Sequence, residues 1–334
     1  MRQTDPMLVD SFQRRITYLR LSVTDRCDLR CAYCMPAAMQ FLPRRDLLTL
    51  EELHRLALGF IARGVRTIRI TGGEPLVRRD VMDLIRMLGR KLGDGLDALT
   101  LTTNGTQLVG HANALRSAGV RRINVSLDTL DRARFAALTG ADRLDPVLDG
   151  IAAARDAGLG VKLNVVALRS TPLEDLMELI GWGHMNGHDV TLIEVMPLGD
   201  IEADRADQFV SLEEVRRDLQ NRWTLFPSAH RTAGPARYYD VAETGGRIGF
   251  ITPLSDNFCD GCNRLRVTAA GQLHPCLGGG EAVDLRAALR SPNPQEALDA
   301  ALEQAMRIKP ARHDFALHPG AHPAVARHMS VTGG

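Results

Sequence analysis

No stretch of this 334-residue chain approaches the ~18 consecutive apolar residues of a membrane span. The N-terminus has no charged-then-apolar segment of the secretory kind. Charge of one sign is also missing: the net value is +1, so no global field draws in nucleic acid, and any basic site must be local. These absences lead us to expect a cytoplasmic protein that neither enters a membrane nor binds nucleic acid. Cysteine is scarce, with six in all. In a long chain without a leader, metal binding is a better reading of them than disulfides. Hydrophobic residues make up 45%, enough for a core that needs no disulfides.

What is present is an unusual placement of those cysteines. Three lie in Cys27-Asp28-Leu29-Arg30-Cys31-Ala32-Tyr33-Cys34, a C-x3-C-x2-C spacing. Three thiolates can hold three corners of a [4Fe–4S] cube and leave the fourth iron open to a small molecule, whereas a fourth thiolate would suggest plain electron transfer. Zinc is the competing ligand, but a structural zinc site wants four protein ligands, and the next histidine, His54, falls in an expected helix. The second group is Cys259-Asp260-Gly261-Cys262, followed by Cys276. It again offers three thiols. Zinc could complete its shell here with His274 or water, so both readings stand at this point. Arg264 and Arg266 follow directly, and in an extended segment they project the same way. Two guanidiniums beside an open iron could grip a phosphorylated molecule bidentately.

Strand-like and helix-like runs alternate along the first two thirds of the chain. Strands are expected at 18–24, 66–70, 98–103, 121–127, 160–166 and 189–195. Helices are expected near 49–63, 80–91, 106–118, 144–157 and 172–185. Leu50, Leu53, Leu56, Ala57, Phe60 and Ile61 share one face of the first helix, and Thr49 caps it. Gly64, Gly119 and Gly158 suit left-handed helix stops. Six β-then-α units suggest a parallel sheet with right-handed crossovers. The expected fold is therefore α/β: a partial (βα)6 barrel of the TIM type over about 15–200, with a C-terminal region from 201 to 334. After Asp200 the alternation fails, apart from a short helix at 211–221.

The expected strand ends are polar. Ile70-Thr71-Gly72-Gly73-Glu74-Pro75 closes the second strand, and paired glycines there let a backbone approach a ligand. Thr102, Thr103 and Asn104 follow the third, Ser126 and Asp128 the fourth, and Glu194 and Met196 the sixth, with Lys162 and Asn164 inside the fifth. Any one of them could be an ordinary cap or turn residue. Together they line one rim with donors and acceptors.

The first triad, with an aromatic before its last cysteine, followed by Gly72-Gly73-Glu74-Pro75, resembles the radical S-adenosylmethionine superfamily. The run Phe258-Cys259-Asp260-Gly261-Cys262-Asn263-Arg264-Leu265-Arg266, with Cys276 and the C-terminal Met329-Ser330-Val331-Thr332-Gly333-Gly334, narrows the resemblance to the GTP 3′,8-cyclase family of molybdenum cofactor biosynthesis. It covers about residues 10–334. The resemblance implies a C-terminal α+β extension carrying a second iron–sulfur cluster, so that one [4Fe–4S] cluster lies at each end of the partial barrel. Cys27, Cys31 and Cys34 would hold the first, with S-adenosylmethionine on its open iron against Tyr33, Gly73, Ser126 and Met196. Cys259, Cys262 and Cys276 would hold the second, facing GTP bound by Arg20, Arg69, Thr102, Lys162, Arg264, Leu265 and Arg266. Arg264 and Arg266 are the implied catalytic pair, and the terminal diglycine would reach the active site.

The implied chemistry removes hydrogen from C3′ of GTP by a 5′-deoxyadenosyl radical and joins C3′ to guanine C8, giving 3′,8-cyclo-7,8-dihydro-GTP. The implied partners are an external one-electron reductant, a second copy in a homodimer, and cyclic pyranopterin monophosphate synthase as the receiver of product. Three positions depart from the family pattern: Gln13 stands where a glycine is expected, Asp28 replaces a common Asn, and Ala37-Ala38 replaces a more acidic or glycine-rich pair. Two other readings compete. One is a peptide-modifying radical maturase, which often carries more C-terminal cysteines; the other is a zinc-stabilised binding module, which would be colourless and inert toward S-adenosylmethionine.

Overall fold

The computed structural model describes residues 7–318, 320 and 322–333. The first strand β1 (Tyr18–Ser22) leads through the cysteine loop to α1 (Leu50–Ala62). Thr49 Oγ1 accepts from the Glu52 N–H at 3.2 Å, and the Glu52 carboxylate accepts from the Thr49 N–H at 2.8 Å. This reciprocal cap fixes where α1 begins. Leu53, Leu56, Ala57, Phe60 and Ile61 are buried on its inner face. Gly64 then stops the chain at a φ of +94°.

The same grammar repeats through β2 (Thr67–Thr71), α2 (Val81–Gly89), β3 (Ala98–Thr103), α3 (Leu108–Ser117), β4 (Arg122–Ser126), α4 (Arg132–Thr139), α5 (Leu144–Asp156), β5 (Gly160–Ala167), α6 (Leu173–Met185) and β6 (Asp189–Glu194). Strands β1 to β6 pair in sequence order and all run parallel. Their alternate residues enter one continuous apolar core with α1, α2, α3, α5 and α6. The helix α4 has no counterpart in the sequence reading. It buries only Phe135 and Thr139, too little apolar periodicity to show.

The larger departure lies beyond residue 200. After α7 (Arg205–Gln208) and α8 (Leu212–Gln220) come β7 (Leu225–Pro227), β8 (Arg237–Val241), β9 (Arg247–Ile251), β10 (Arg264–Val267), β11 (Gln272–His274) and β12 (Val283–Asp284). The chain closes with α9 (Leu285–Leu289), α10 (Pro294–Ile308) and α11 (Met329–Thr332). All six late strands join the same sheet, in the order β12-β11-β10-β1-β2-β3-β4-β5-β6-β9-β8-β7. Strand β9 lies parallel beside β6, and β10 lies parallel beside β1. The partial barrel is thus widened at both edges by strands from the C-terminal region. These strands are only two to five residues long and lack intervening crossover helices, so the βα rhythm that revealed the first six is absent.

This topology places the two cysteine groups. A parallel strand carries the chain from the bottom of the barrel to its top. Cys27 to Cys34 follow β1 and therefore sit at the top. Residues 252–263 leave the top of β9 and return to the bottom of β10, so Cys259 and Cys262 arrive there. Strand β11 runs antiparallel to β10 and delivers Cys276 to that same lower end.

Candidate functional site

The upper triad is a loop held by backbone. Arg30 and Ala32 donate their N–H groups to the carbonyls of Thr139 and Leu138, at 2.7 and 2.9 Å, and Cys34 N–H closes a turn on Cys31 at 2.8 Å. Gly72 and Gly73 pack directly under it. A Cβ on Gly72 would meet the Thr24 carbonyl, and one on Gly73 the Arg26 carbonyl. The paired glycines therefore make room first for the protein's own backbone, whereas the sequence suggested room for a ligand. Gly73 and Glu74 also donate N–H groups to Thr24 and Arg26, at 2.9 and 2.8 Å.

Acidic side chains brace this rim. Glu74 is fully buried. Its carboxylate accepts from Thr103 Oγ1 at 2.9 Å, the Asn104 N–H at 2.6 Å and the Leu76 N–H at 2.9 Å, joining the ends of β2 and β3; burial pushes it up to about 7. Asp128 accepts from Tyr33 Oη at 2.7 Å and from the Val166 N–H at 2.8 Å; burial raises it to about 6. Asp28 accepts from Asn104 Nδ2, Thr106 Oγ1 and Gln107 Nε2 at 2.7, 2.6 and 3.1 Å. A carboxylate in place of a common Asn is thus fully used. Burial raises Cys27 to about 12 and Cys34 to about 11, and it raises Cys31 as well. Thiols in such surroundings become thiolates only when a metal supplies positive charge.

The lower triad lies in the opposite field. Cys262 is brought down to about 6 despite burial, because Arg264, Lys309 and Arg266 surround its sulfur. Lys309 donates to Cys262 Sγ at 3.6 Å. His274 Nδ1 contacts the Glu281 carbonyl at 3.1 Å, and burial lowers it to about 4. All six cysteines are free thiols. Around one zinc ion, with Zn–S bonds of ~2.3 Å, the sulfurs would lie about 3.8 Å apart. No group of three His, Cys, Asp or Glu side chains among the described residues is arranged to hold one ion. Three thiols per group fit the donor set of an iron–sulfur cube with one open corner.

Below the upper triad lies a cavity of about 220 Å3, which Phe258, Arg264 and Leu277 reach from the lower group while Cys259, Cys262 and Cys276 themselves are not among its lining residues. Cys27, Cys31 and Cys34 line its top, with Tyr33, Gly73, Ser126 and Met196. Arg20, Arg69, Thr102, Lys162, Arg264 and Arg266 line its walls and floor. Register explains the grouping: Arg20 pairs with Arg69 on one side and with Arg266 on the other, across β2-β1-β10. Leu265 is the exception. Its side chain is fully buried in the core, so only its backbone can serve the cavity. Arg264 stacks over the Phe258 ring, 4.9 Å from its centroid. Arg69 lies 5.6 Å from the Tyr18 centroid, and its Nε donates to Thr100 Oγ1 at 3.4 Å. Lys162 Nζ reaches Tyr238 Oη at 3.3 Å. The carboxylate among the lining residues is Glu194. It is turned to the N–H groups of Leu212, Leu254 and Ser255 at 3.2, 2.9 and 3.2 Å and to the Ser255 hydroxyl.

The chain's end returns to the upper rim. Met329, Ser330 and Gly333 line the cavity, the Ser330 backbone counters part of the rise that burial gives Cys34, and a Cβ on Gly333 would run into the Thr71 side chain. Gly334 lies outside the described residues. The sequence reading missed several supports of this site. Arg205 donates to the Met196 carbonyl at 2.7 Å and to the Leu198 carbonyl, holding the β6 rim. Lys309 stands far in sequence from any cysteine, so no spacing marks it. The departure at Gln13 is explained: it adopts a left-handed φ of +63°, where glycine is at ease and glutamine is mildly strained.

A parallel β/α barrel with a thiol triad after its first strand and a paired-glycine turn after its second defines the class of radical S-adenosylmethionine proteins. Residues 21–183 match the radical SAM superfamily, and residues 188–315 match the family described as Molybdenum Cofactor Synthesis C. The fold is shared with the crystal structure of Streptococcus suis SuiB bound to S-adenosylmethionine (TM-score 0.57, 18% identity, 83% of this chain and 62% of that one). It is shared too with native anSMEcpe with bound AdoMet (TM-score 0.56, 14% identity, 85% and 83%). Curated relatives named GTP 3′,8-cyclase are far more similar. The Erythrobacter litoralis protein is 66% identical over 327 residues, covering 98% of both chains. The Caulobacter vibrioides protein is 56% identical over 334 residues, covering 100% of this chain and 95% of its own. The chain belongs to the GTP 3′,8-cyclase family, whose cofactors are two [4Fe–4S] clusters and S-adenosylmethionine.

Proposed function

We propose that this protein converts GTP to 3′,8-cyclo-7,8-dihydro-GTP, with Cys27, Cys31 and Cys34 holding the upper cluster and Cys259, Cys262 and Cys276 the lower one. The observation that carries this reading is the cavity lined at its top by the upper thiols and below by cations, among them Arg264 and Arg266 that directly follow the lower triad's Cys262. The upper cluster with S-adenosylmethionine would supply a one-electron cleavage of the sulfonium for removing the hydrogen from C3′ of GTP; joining C3′ to guanine C8 leaves an odd electron, so one further electron from the external donor and one proton are needed to reach the dihydro product.

This chain's residues bind, orient and exclude water. Tyr33, Gly73, Ser126 and Met196 seat S-adenosylmethionine at the rim, Tyr33 being fixed by its hydrogen bond to Asp128. Arg20, Arg69, Lys162, Arg264 and Arg266 offset the charge of the triphosphate, and Thr102 adds a hydroxyl. Leu265 contributes through its backbone. Holding both reactants in one closed space converts the hydrogen transfer into a step between positioned groups. Arg264 and Arg266 hold GTP against the lower cluster. Gly333 lies beside Thr71 at the rim. The protein takes its electron from an external one-electron donor, works in the cytoplasm as a homodimer, and passes its product to cyclic pyranopterin monophosphate synthase.

The test is anaerobic. Reconstituted protein is given dithionite and S-adenosylmethionine, and 5′-deoxyadenosine is quantified with and without GTP. We expect GTP-dependent release together with a cyclised product of unchanged mass. Release that ignores GTP would reopen the substrate in favour of a maturase. No release from fully iron-loaded protein would overturn the catalytic reading.

A further inference from the structure

One buried ammonium lies against the lower triad without belonging to it. The helix α10 ends at Lys309, because Pro310 drives the preceding residue out of the helical region; Lys309 has φ −64° and ψ +119°. The backbone beyond is clamped by Arg14, which donates to the carbonyls of Pro310 at 2.6 Å, Ala311 at 2.7 Å and Cys259 at 2.8 Å. Asp10 holds that guanidinium at 2.6 Å. Lys309 itself is only 2% exposed. Its three N–H bonds have three acceptors: the Pro275 carbonyl at 2.7 Å, the Arg264 carbonyl at 3.1 Å and Cys262 Sγ at 3.6 Å.

Pro275 immediately precedes Cys276, and Arg264 follows Cys262 by two residues, so a single ammonium spans both limbs of the triad. Among the described residues, no carboxylate is one of its partners. The negative charge it meets is that of the thiolates. At the upper triad, among the described residues, Cys27 Sγ receives neutral donors instead, Asn104 Nδ2 at 3.6 Å and the Leu29 N–H at 3.4 Å, and Arg205 acts on Cys34 through its charge alone.

We propose that Lys309 is the positioning residue of the lower cluster, tying the Cys262 and Cys276 limbs together and placing a fixed positive charge at one ligating sulfur. Hydrogen bonds and charge at the sulfurs of a cluster set its potential, and groups that orient the ligands govern its retention. The inference rests on the reading that Cys259, Cys262 and Cys276 hold a cluster.

The test uses the full chain, reconstituted anaerobically, with iron counted and each cluster's midpoint read by potentiometric EPR. Lys309→Met and Lys309→Gln are compared with the unmodified protein. We expect either selective loss of the lower cluster or, where both clusters are retained, a more negative midpoint for the lower one with the upper unmoved. The shift should be smaller in Lys309→Arg, which keeps the charge. Full iron with both midpoints unchanged would overturn the role, and so would variants that lose both clusters or the fold together. An unmodified protein that takes up only one cluster would instead sink the reading of the lower triad.

Discussion

The two triads offer the same three thiols in opposite surroundings. At the upper end Asp28, Glu74 and Asp128 stand near the sulfurs, and burial raises all three thiols. At the lower end Arg264, Arg266 and Lys309 surround Cys262 and lower it to about 6. Added electrons are opposed by acids and favoured by cations, so like clusters in these two places differ in potential. The acidic end suits an iron that must give an electron away. The cationic end suits one that receives an anionic nucleotide.

The largest effect should come from breaking one end at a time. Cys27→Ala should abolish 5′-deoxyadenosine formation while leaving the lower cluster's iron and GTP binding in place. Cys276→Ala should remove about half the iron and leave the upper cluster's signal intact. Iron analysis with EPR checks both. Normal S-adenosylmethionine cleavage by Cys27→Ala would break the division of labour, and so would unchanged iron in Cys276→Ala.

Much of this division was legible from sequence because thiols are rare here and fall in two groups at short spacing. The six βα units announced themselves through Leu and Val periodicity, and Arg264 with Arg266 through alternation along an extended segment. What stayed hidden depends on distant pairing. Strands β9 and β10 are too short to show a period, yet they bring the lower triad to the barrel's foot. Glu74 and Asp128 were visible as residues, but their bracing of the rim depends on partners from neighbouring strands. Lys309 carries no mark at all, because its three acceptors lie more than thirty residues away.

A smaller effect sharpens the contrast between cationic floor and thiol-lined roof. Arg266→Ala should weaken GTP binding by roughly 100-fold, in line with the 2–5 kcal/mol typical of truncating a buried charged contact. S-adenosylmethionine binding should change by less than about threefold. Calorimetry under anaerobic conditions with each ligand separates the two, and equal losses for both would remove Arg266 from the nucleotide side.

The smallest effect is one of pH, and Lys162 carries it. Burial lowers this ammonium to about 7, with Arg69 and Arg122 adding repulsion. A triphosphate oxygen beside Nζ favours the charged form and so raises its value in the complex. The charged form binds better, so affinity is fully expressed below about pH 7 and declines as pH rises through the free protein's value toward that of the complex. We expect GTP affinity to fall on the order of tenfold between pH 7 and 9, since the limiting slope is about tenfold per unit for one proton. The phosphate's own ionisation, near pH 6, pulls the other way at lower pH, so the decline belongs to the alkaline side. Lys162→Arg stays charged throughout this range and should flatten the profile. An unchanged decline in that variant would move the titration to another group, and no decline in the parent would mean that Lys162 stays charged at the floor of the cavity even without GTP.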